Sequence, residues 1–140
     1  MHRSLVLGDA MKILAATDGS RAGNAAVRFA SNLLGRARKG ELVVLTVLPD
    51  GADLPEKTGG KLRNGSGAAR FRVARARHAD EVPEVISREA DRLRADLIVV
   101  GSEGRESLAE WVVGGTALRL IYVARRPVTV VRAPRKRSPR

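Results

Sequence analysis

Glycines stand at two places where an apolar run meets a helical pattern. Gly101 and Gly104 follow one apolar run, and residues 114–116 (Gly-Gly-Thr) open a later helical pattern. Glycine lets backbone N–H groups approach a phosphate without a Cβ in the way. A helix that begins at such a pair also presents unpaired N–H groups and its positive dipole end to an anion. The pattern indicates a phosphate-binding loop with Arg105 as a cation, although the same glycines could simply end a strand and join two helices.

The residue types of the chain exclude several kinds of chemistry. It contains no cysteine, which rules out disulfides, thiolate zinc sites and cysteine nucleophiles. His2 and His78 are far apart in sequence and lack metal-ligand spacing, so we expect no metal site. Ser102, Glu103 and Glu106 offer no nucleophile–base pair. We therefore expect no catalytic residues and no dedicated hydrolase.

The charge of the chain favours a polyanionic partner. Its 26 Lys and Arg residues against 15 Asp and Glu give a formal net charge of +11. Residues 133–140 carry four positive charges and no negative one, and residues 51–80 carry seven positive and three negative ones. Such a balance suits nucleotides, nucleic acid or anionic surfaces without choosing among them.

The organisation of the chain indicates one domain. We predict a domain at residues 11–132, preceded by an extension at 1–10 and followed by a basic tail at 133–140. Apolar runs fall short of the roughly 20 residues needed to cross a bilayer, and the short apolar run near the start is too brief for a signal peptide. We expect a cytoplasmic protein.

Five segments are predicted to be strands because they are short, apolar and bounded by charged or turn residues. They span residues 12–17, 41–47, 71–76, 96–100 and 128–132. Continuous apolar runs of this length are typical of a parallel sheet covered on both faces. The segment with interleaved arginines, 71–76, is expected at an edge of the sheet.

Three helices are predicted between these strands from apolar residues that repeat every three or four positions. They span residues 21–39, 81–94 and 116–124, with Ser20 as the first N-cap and Gly40 as the first stop.

The same periodicity places Phe29 of the first helix and Ile121 of the third on buried faces. Asp80 is a possible cap of the second helix. Alternating strands and helices predict an α/β fold with a single open, mostly parallel five-stranded sheet, Rossmann-like, with helices on both faces. Such sheets bind ligands at the carboxyl ends of their strands, where the strand order reverses.

The glycine spacing resembles that of the universal stress proteins. ATP-binding members of this family carry a glycine, two residues, a glycine, nine residues, and a glycine followed by Ser or Thr. Gly101, Gly104 and Gly114 fit that spacing, and segments 13–20 and 126–131 resemble the first and last strands of the family. The resemblance covers about residues 11–132 and implies an adenine nucleotide alpha hydrolase-like fold.

The resemblance also implies a site, a cofactor and a partner. ATP, with Mg²⁺ bridging its phosphates, would be bound with slow turnover or none, so that the protein would be at most a weak ATPase. A homodimer would form through antiparallel contact of the last strands. The nucleotide-binding residues implied are Ala16, Thr17, Asp18, Val47, Gly101, Ser102, Gly104, Arg105, Gly114, Gly115 and Thr116.

Three alternatives stay open at this point. Gly115 stands where the family has Ser or Thr, with Thr116 one place later, which is compatible with a dimeric interaction module of the same fold that binds no nucleotide. The tail and residues 51–80 are compatible with a protein that associates with nucleic acid. Asp18 could form an Asx turn or cap the following helix rather than contact a ligand.

Overall fold

A computed structural model of the chain describes residues 11–35, 40–53, 69–102 and 114–134. Its strands form one five-stranded sheet in the order β3-β2-β1-β4-β5, and every neighbouring pair is parallel. The strands are β1 (Met11–Ala16), β2 (Gly40–Pro49), β3 (Ala69–Ala76), β4 (Leu97–Gly101) and β5 (Val128–Val131). The predicted fold class is confirmed, and the arginine-containing strand β3 lies at an edge as predicted.

Helices cover both faces of this sheet. They are α1 (Arg21–Leu34), α2 (Val82–Leu93) and α3 (Gly115–Val123). One core cluster joins α1 to the side chains on one face of the inner strands, and a second joins α2 and α3 to the other face. Within the described residues, no helix is long and apolar enough to span a membrane.

The first helix begins where it was predicted and ends earlier. The Ser20 hydroxyl accepts a hydrogen bond from the N–H of Gly23 at 3.1 Å, which confirms it as the N-cap. The predicted stop at Gly40 is wrong, because α1 ends at Leu34 and Gly40 opens β2. A Cβ on Gly40 would lie 2.3 Å from Cδ2 of Leu34, so the glycine lets the end of α1 pack on the start of β2.

The second helix is shorter than predicted at both ends. A 3₁₀ turn at Ala79–Glu81 precedes it, so Asp80 lies within that turn and does not cap α2. At the other end, Arg94 adopts a left-handed conformation with φ of 55°, which terminates the helix before this residue. Its backbone N–H donates to the carbonyl of Asp91 and closes the last turn.

Two predicted core positions are exposed. Phe29 is 40% exposed and Ile121 is 52% exposed, whereas Ala26 of α1 and Leu120 of α3 are fully buried. In both helices the set of side chains buried against the sheet is therefore narrower than the periodicity predicted. Small residues face the sheet in α1, and Phe29 lies at the margin of that stripe.

Candidate functional site

The strand order reverses between β1 and β4. The chain moves from β1 to β2 on one side of the sheet and later returns to β4 on the other side. Open α/β sheets bind ligands in the crevice at the carboxyl ends of two such strands. A cavity of about 110 Å³ lies there. Its described lining consists of Ala16, Thr17, Asp18, Gly23, Val47, Val82, Ile86, Val100, Gly101, Gly114, Gly115, Thr116 and Ala117.

The turn after β1 is held by local hydrogen bonds. The N–H of Thr17 donates to the carbonyl of Leu45 at 2.9 Å, and the Thr17 hydroxyl accepts from the N–H of Gly19 at 3.1 Å. Oδ1 of Asp18 accepts from the N–H of Ser20 at 2.9 Å, which is an Asx turn. Gly19 has a φ of 82°, which a residue with a Cβ rarely adopts. The Asp18 carboxylate is therefore fixed at the exposed rim of the cavity, and its contact with a ligand stays a prediction.

Gly23 is a cavity residue that the sequence analysis missed. It lies in the first turn of α1, and a Cβ there would be 2.5 Å from Oγ1 of Thr17 and 3.0 Å from Oδ1 of Asp18. A larger residue would push α1 away from the turn after β1. A glycine three positions after the N-cap Ser20 was the signal that could have identified it.

Gly101 has a packing role in addition to its place in the lining. A Cβ on this residue would lie 2.5 Å from the carbonyl carbon of Ala22 and 2.7 Å from its oxygen. These are backbone atoms of α1, so they cannot move aside as a side chain could. The first glycine of the predicted phosphate loop is therefore required for the contact between β4 and α1.

Ser102 joins three elements through its backbone. Its N–H donates to the carbonyl of Val131 at 2.8 Å, and its carbonyl accepts from the N–H of Gly114. The second bond brings the beginning and the end of the predicted loop together. Ser102 itself is buried and is not among the described residues that line the cavity. Because the N–H of Gly114 is already paired, it is not available to a phosphate in this arrangement.

The N-terminus of α3 forms one side of the cavity. Gly114 is its N-cap, with no side chain to pair the N–H groups of the first turn. The helix begins at Gly115, one residue before the predicted start, and Gly115, Thr116 and Ala117 all line the cavity. A Cβ on Gly115 would meet no atom of the described residues within 4 Å. Within the part of the chain that the structure describes, this helix end therefore offers N–H groups without a partner and a positive dipole end next to open space.

An apolar wall forms another side of the cavity. Val47 of β2, a predicted nucleotide-binding residue, contributes to it together with Val82 and Ile86 of α2 and Val100 of β4. Val82 and Ile86 have the spacing of any buried helical stripe, so the sequence alone predicts no site role for them. An apolar wall opposite polar groups is the usual composition of a small-molecule pocket.

Polar contacts tie α2 to α3 and to the segment that follows α3. Nε of Arg119 donates to Oε1 of Glu84 at 3.0 Å, and Nε of Arg126 donates to Oδ1 of Asp91 at 3.1 Å. The hydroxyl of Ser87 donates to the carbonyl of Val123 at 3.4 Å. The hydrogen bond from Arg119 lowers the pKa of the Glu84 carboxyl below its usual value.

The predicted site is thus partly assembled by the described residues. Gly104 and Arg105 lie outside them. Among the described residues, no group of three or more His, Asp or Glu side chains could hold a metal ion. The remaining predicted residues other than Ser102 lie along the cavity.

Solved structures with the same fold include several universal stress proteins. One from Lactobacillus plantarum has a TM-score of 0.70 at 21% identity, and the alignment covers 87% of this chain and 97% of that chain. A universal stress protein in complex with cAMP has a TM-score of 0.69 at 20% identity, with 89% and 98% covered. One from Archaeoglobus fulgidus in complex with dAMP has a TM-score of 0.60 at 21% identity, with 86% and 97% covered. No curated protein sequence matches the chain.

The sequence itself matches the model of the Universal stress protein family over residues 10–132. That span begins just before β1 and ends just after β5, and it includes each strand and helix described above. The chain belongs to the universal stress protein family.

Proposed function

We propose that this protein binds an adenine nucleotide in the cavity between β1 and β4 and acts as a regulatory protein in the stress response. One observation carries the proposal. The cavity lies where the strand order reverses, and it has an apolar wall on one side and, on another, the N-terminus of α3, which no side chain caps. Two universal stress proteins of the same fold form complexes with cAMP and dAMP, which supports an adenine nucleotide as the ligand.

The two sides of the cavity suit the two ends of a nucleotide. Val47, Val82 and Ile86 offer an apolar surface for the flat base. The N–H groups of Gly115 and Thr116 are positioned for phosphate oxygens, which also favour the positive end of the α3 dipole. Gly104 and Arg105, which the sequence predicts at the phosphates, would complete the site.

The preferred nucleotide is ATP, with Mg²⁺ as its counterion. Mg²⁺ is usually held by one or two carboxylates together with substrate phosphates and water. Asp18 at the rim of the cavity is the carboxylate in the described lining, so the residues present fit such a shared site. When bound, the ion would neutralise phosphate charge.

Turnover of the nucleotide is expected to be slow or absent. In the described lining, Asp18 is the residue with general-base chemistry, and its Oδ1 already accepts the N–H of Ser20. Thr17 contributes a hydroxyl, but that hydroxyl is engaged with the turn through Gly19 and Asn24. Neither side chain forms the nucleophile–base pair that rapid hydrolysis requires.

A homodimer through β5 is part of the proposal. Strand β5 is the last strand at its edge of the sheet, and exposed strand edges favour pairing with a second chain. Leu118, Ile121 and Tyr122 form an exposed stripe on α3 that is 48%, 52% and 78% accessible. Because Arg119 faces α2, this stripe lies on the flank of α3 away from α2, beside the edge formed by β5. A second copy would cover both.

The function is tested by identifying and then titrating the ligand. Small molecules released from freshly purified protein by denaturation are identified by mass spectrometry, and ATP, cAMP and dAMP are titrated by calorimetry with and without Mg²⁺. Val47→Trp fills the cavity with an indole and should abolish binding. Val73→Trp adds the same side chain on the exposed face of the adjacent strand β3 and should leave binding intact.

Equal affinity of both variants would place the nucleotide elsewhere. No released nucleotide and no heat with any of the three would refute the proposal in favour of a dimeric interaction module with the same fold.

A further inference from the structure

The edge strand β3 combines arginines with exposed apolar side chains. Side chains alternate between the two faces of a strand, so Phe71, Val73 and Arg75 lie on one face and Arg70 and Arg72 on the other. Phe71 is 54% exposed and Val73 is 50% exposed. Edge strands that carry such apolar residues in the open are a liability unless something binds them.

The exposed face is the part of the sheet that α1 leaves uncovered. On β2, Val44 and Thr46 pair with Phe71 and Val73 in register, and both β2 side chains are buried. α1 packs across β1, β2, β4 and β5. On the face that α1 covers, the side chains of β2 are therefore buried and those of the neighbouring strand β3 are exposed, because β3 lies beyond the helix.

The arginines on the two faces of β3 differ in the groups that they contact. On the covered side, Nε of Arg72 lies 2.8 Å from Oε2 of Glu89 and Nε of Arg70 lies 3.5 Å from Oε1 of Glu41. Arg75, on the open face, is exposed and donates to the carbonyl of Ala52 at 3.3 Å, and no carboxylate of the described residues pairs with it.

The chain immediately after β3 adds to this charge. Arg77 follows the strand and is exposed, and its backbone N–H donates to Oε2 of Glu81 at 3.3 Å. The open face of β3 therefore presents an aromatic ring close to cations in a chain whose net charge is +11.

We propose that the open face of β3 binds single-stranded nucleic acid, with Phe71 stacking on a base and Arg75 and Arg77 contacting phosphates. An exposed sheet surface that combines an aromatic ring with cations is a recurring way of binding single strands, because every base has a flat face. An acidic peptide would pair with the arginines but would make no specific use of the ring. β3 contributes no residue to the described lining of the nucleotide cavity, so this inference does not depend on the proposed function.

The stacking contact is tested with two phenylalanine variants of the full chain. The probe is a fluorescently labelled oligothymidylate of about 12 nucleotides, within the site size that one small domain covers. Phe71→Leu should weaken binding about fivefold or more, since this is the lower end of the effect of losing one base–aromatic stack. Phe29→Leu is the matched control, because Phe29 is also exposed but lies on α1, and its affinity should equal that of the unaltered chain. Thermal unfolding of both variants shows whether they remain folded.

The phosphate contacts are tested through the salt dependence of the same binding. Arg75→Gln and Arg77→Gln should each reduce the slope of log K against log salt by about one. Arg125→Gln, an exposed arginine that follows α3, should leave the slope unchanged. Three results would overturn the proposal. The first is that the unaltered chain does not bind the probe, and the second is that the Phe71→Leu and Phe29→Leu variants bind it with equal affinity. The third is that polyglutamate displaces the probe equally well from the unaltered chain and from Phe71→Leu.

Discussion

Replacing Gly115 by serine restores the residue type that ATP-binding members of the family have after the third motif glycine. The described residues leave room for the change, because none of their atoms would lie within 4 Å of a Cβ at this position. Gly115 is the first residue of α3 and its φ is not positive, so serine can adopt the same backbone conformation. The new hydroxyl would stand in the lining of the cavity beside the N–H groups of the first turn.

Two effects of Gly115→Ser can be separated by magnitude. Replacing glycine where the backbone is compatible stabilises a protein by about 0.4–1 kcal/mol through the unfolded state. A hydrogen bond to a charged phosphate contributes about 1.5–3 kcal/mol, which corresponds to roughly 10- to 100-fold in Kd. We therefore expect a small rise in the free energy of unfolding and a much larger rise in affinity for ATP.

Gly115→Ala is the control that isolates the hydroxyl. It has the same backbone effect and the same Cβ, but it cannot donate a hydrogen bond to a phosphate. Urea unfolding measures stability, and isothermal titration calorimetry with ATP and Mg²⁺ measures affinity. If serine and alanine gave the same Kd while both proteins stayed folded, phosphates would not lie at this end of α3, and the proposed orientation of the nucleotide would be wrong.

Three further changes test other parts of the structure. Gly101→Ala places a Cβ 2.5 Å from the backbone of Ala22 and should lower the free energy of unfolding by about 1–3 kcal/mol in urea; an unchanged value would contradict the close packing. Ile121→Asp puts a charge into the exposed stripe of α3 and should convert a dimer into a monomer in light scattering at micromolar concentration, whereas an unchanged mass would exclude that stripe from the interface. The hydrogen bond from Arg119 lowers the pKa of Glu84. The stability that this bond contributes is therefore present above the ordinary carboxyl pKa and is lost as the pH falls through the lowered value. Arg119→Gln should therefore lose less stability than the unaltered chain between about pH 5 and pH 3 in thermal unfolding, and parallel losses would contradict this.

The sheet could be predicted from the sequence because a buried parallel strand has a direct signature. Residues 12–17 and 96–100 are continuous apolar runs, and they form two of the three inner strands, which are covered on both faces. The interleaved arginines of 71–76 have an equally direct meaning, since charged side chains are tolerated at an edge. These features depend on local composition alone, which the sequence displays.

The ends of helices and their exposed flanks could not be predicted in the same way. The end of α1 depends on the packing of Leu34 against Gly40, a contact between two elements that no local pattern contains. The exposure of Phe29 and Ile121 depends on how far each helix is rotated about its axis when it packs. A period of three to four residues fixes which side chains share a face, but it does not fix which margin of that face reaches the sheet.

The candidate site shows why a glycine motif gives more information about fold than about ligand. Gly101 is required by the backbone of α1, and the N–H of Gly114 is paired with the carbonyl of Ser102, so both glycines have structural reasons to be present whether or not a phosphate binds. Gly115 differs from them, because among the described residues no atom lies within 4 Å of where its Cβ would be. The residue at this position is therefore free to change with the ligand, and it is the position at which the affinity for phosphate should be set.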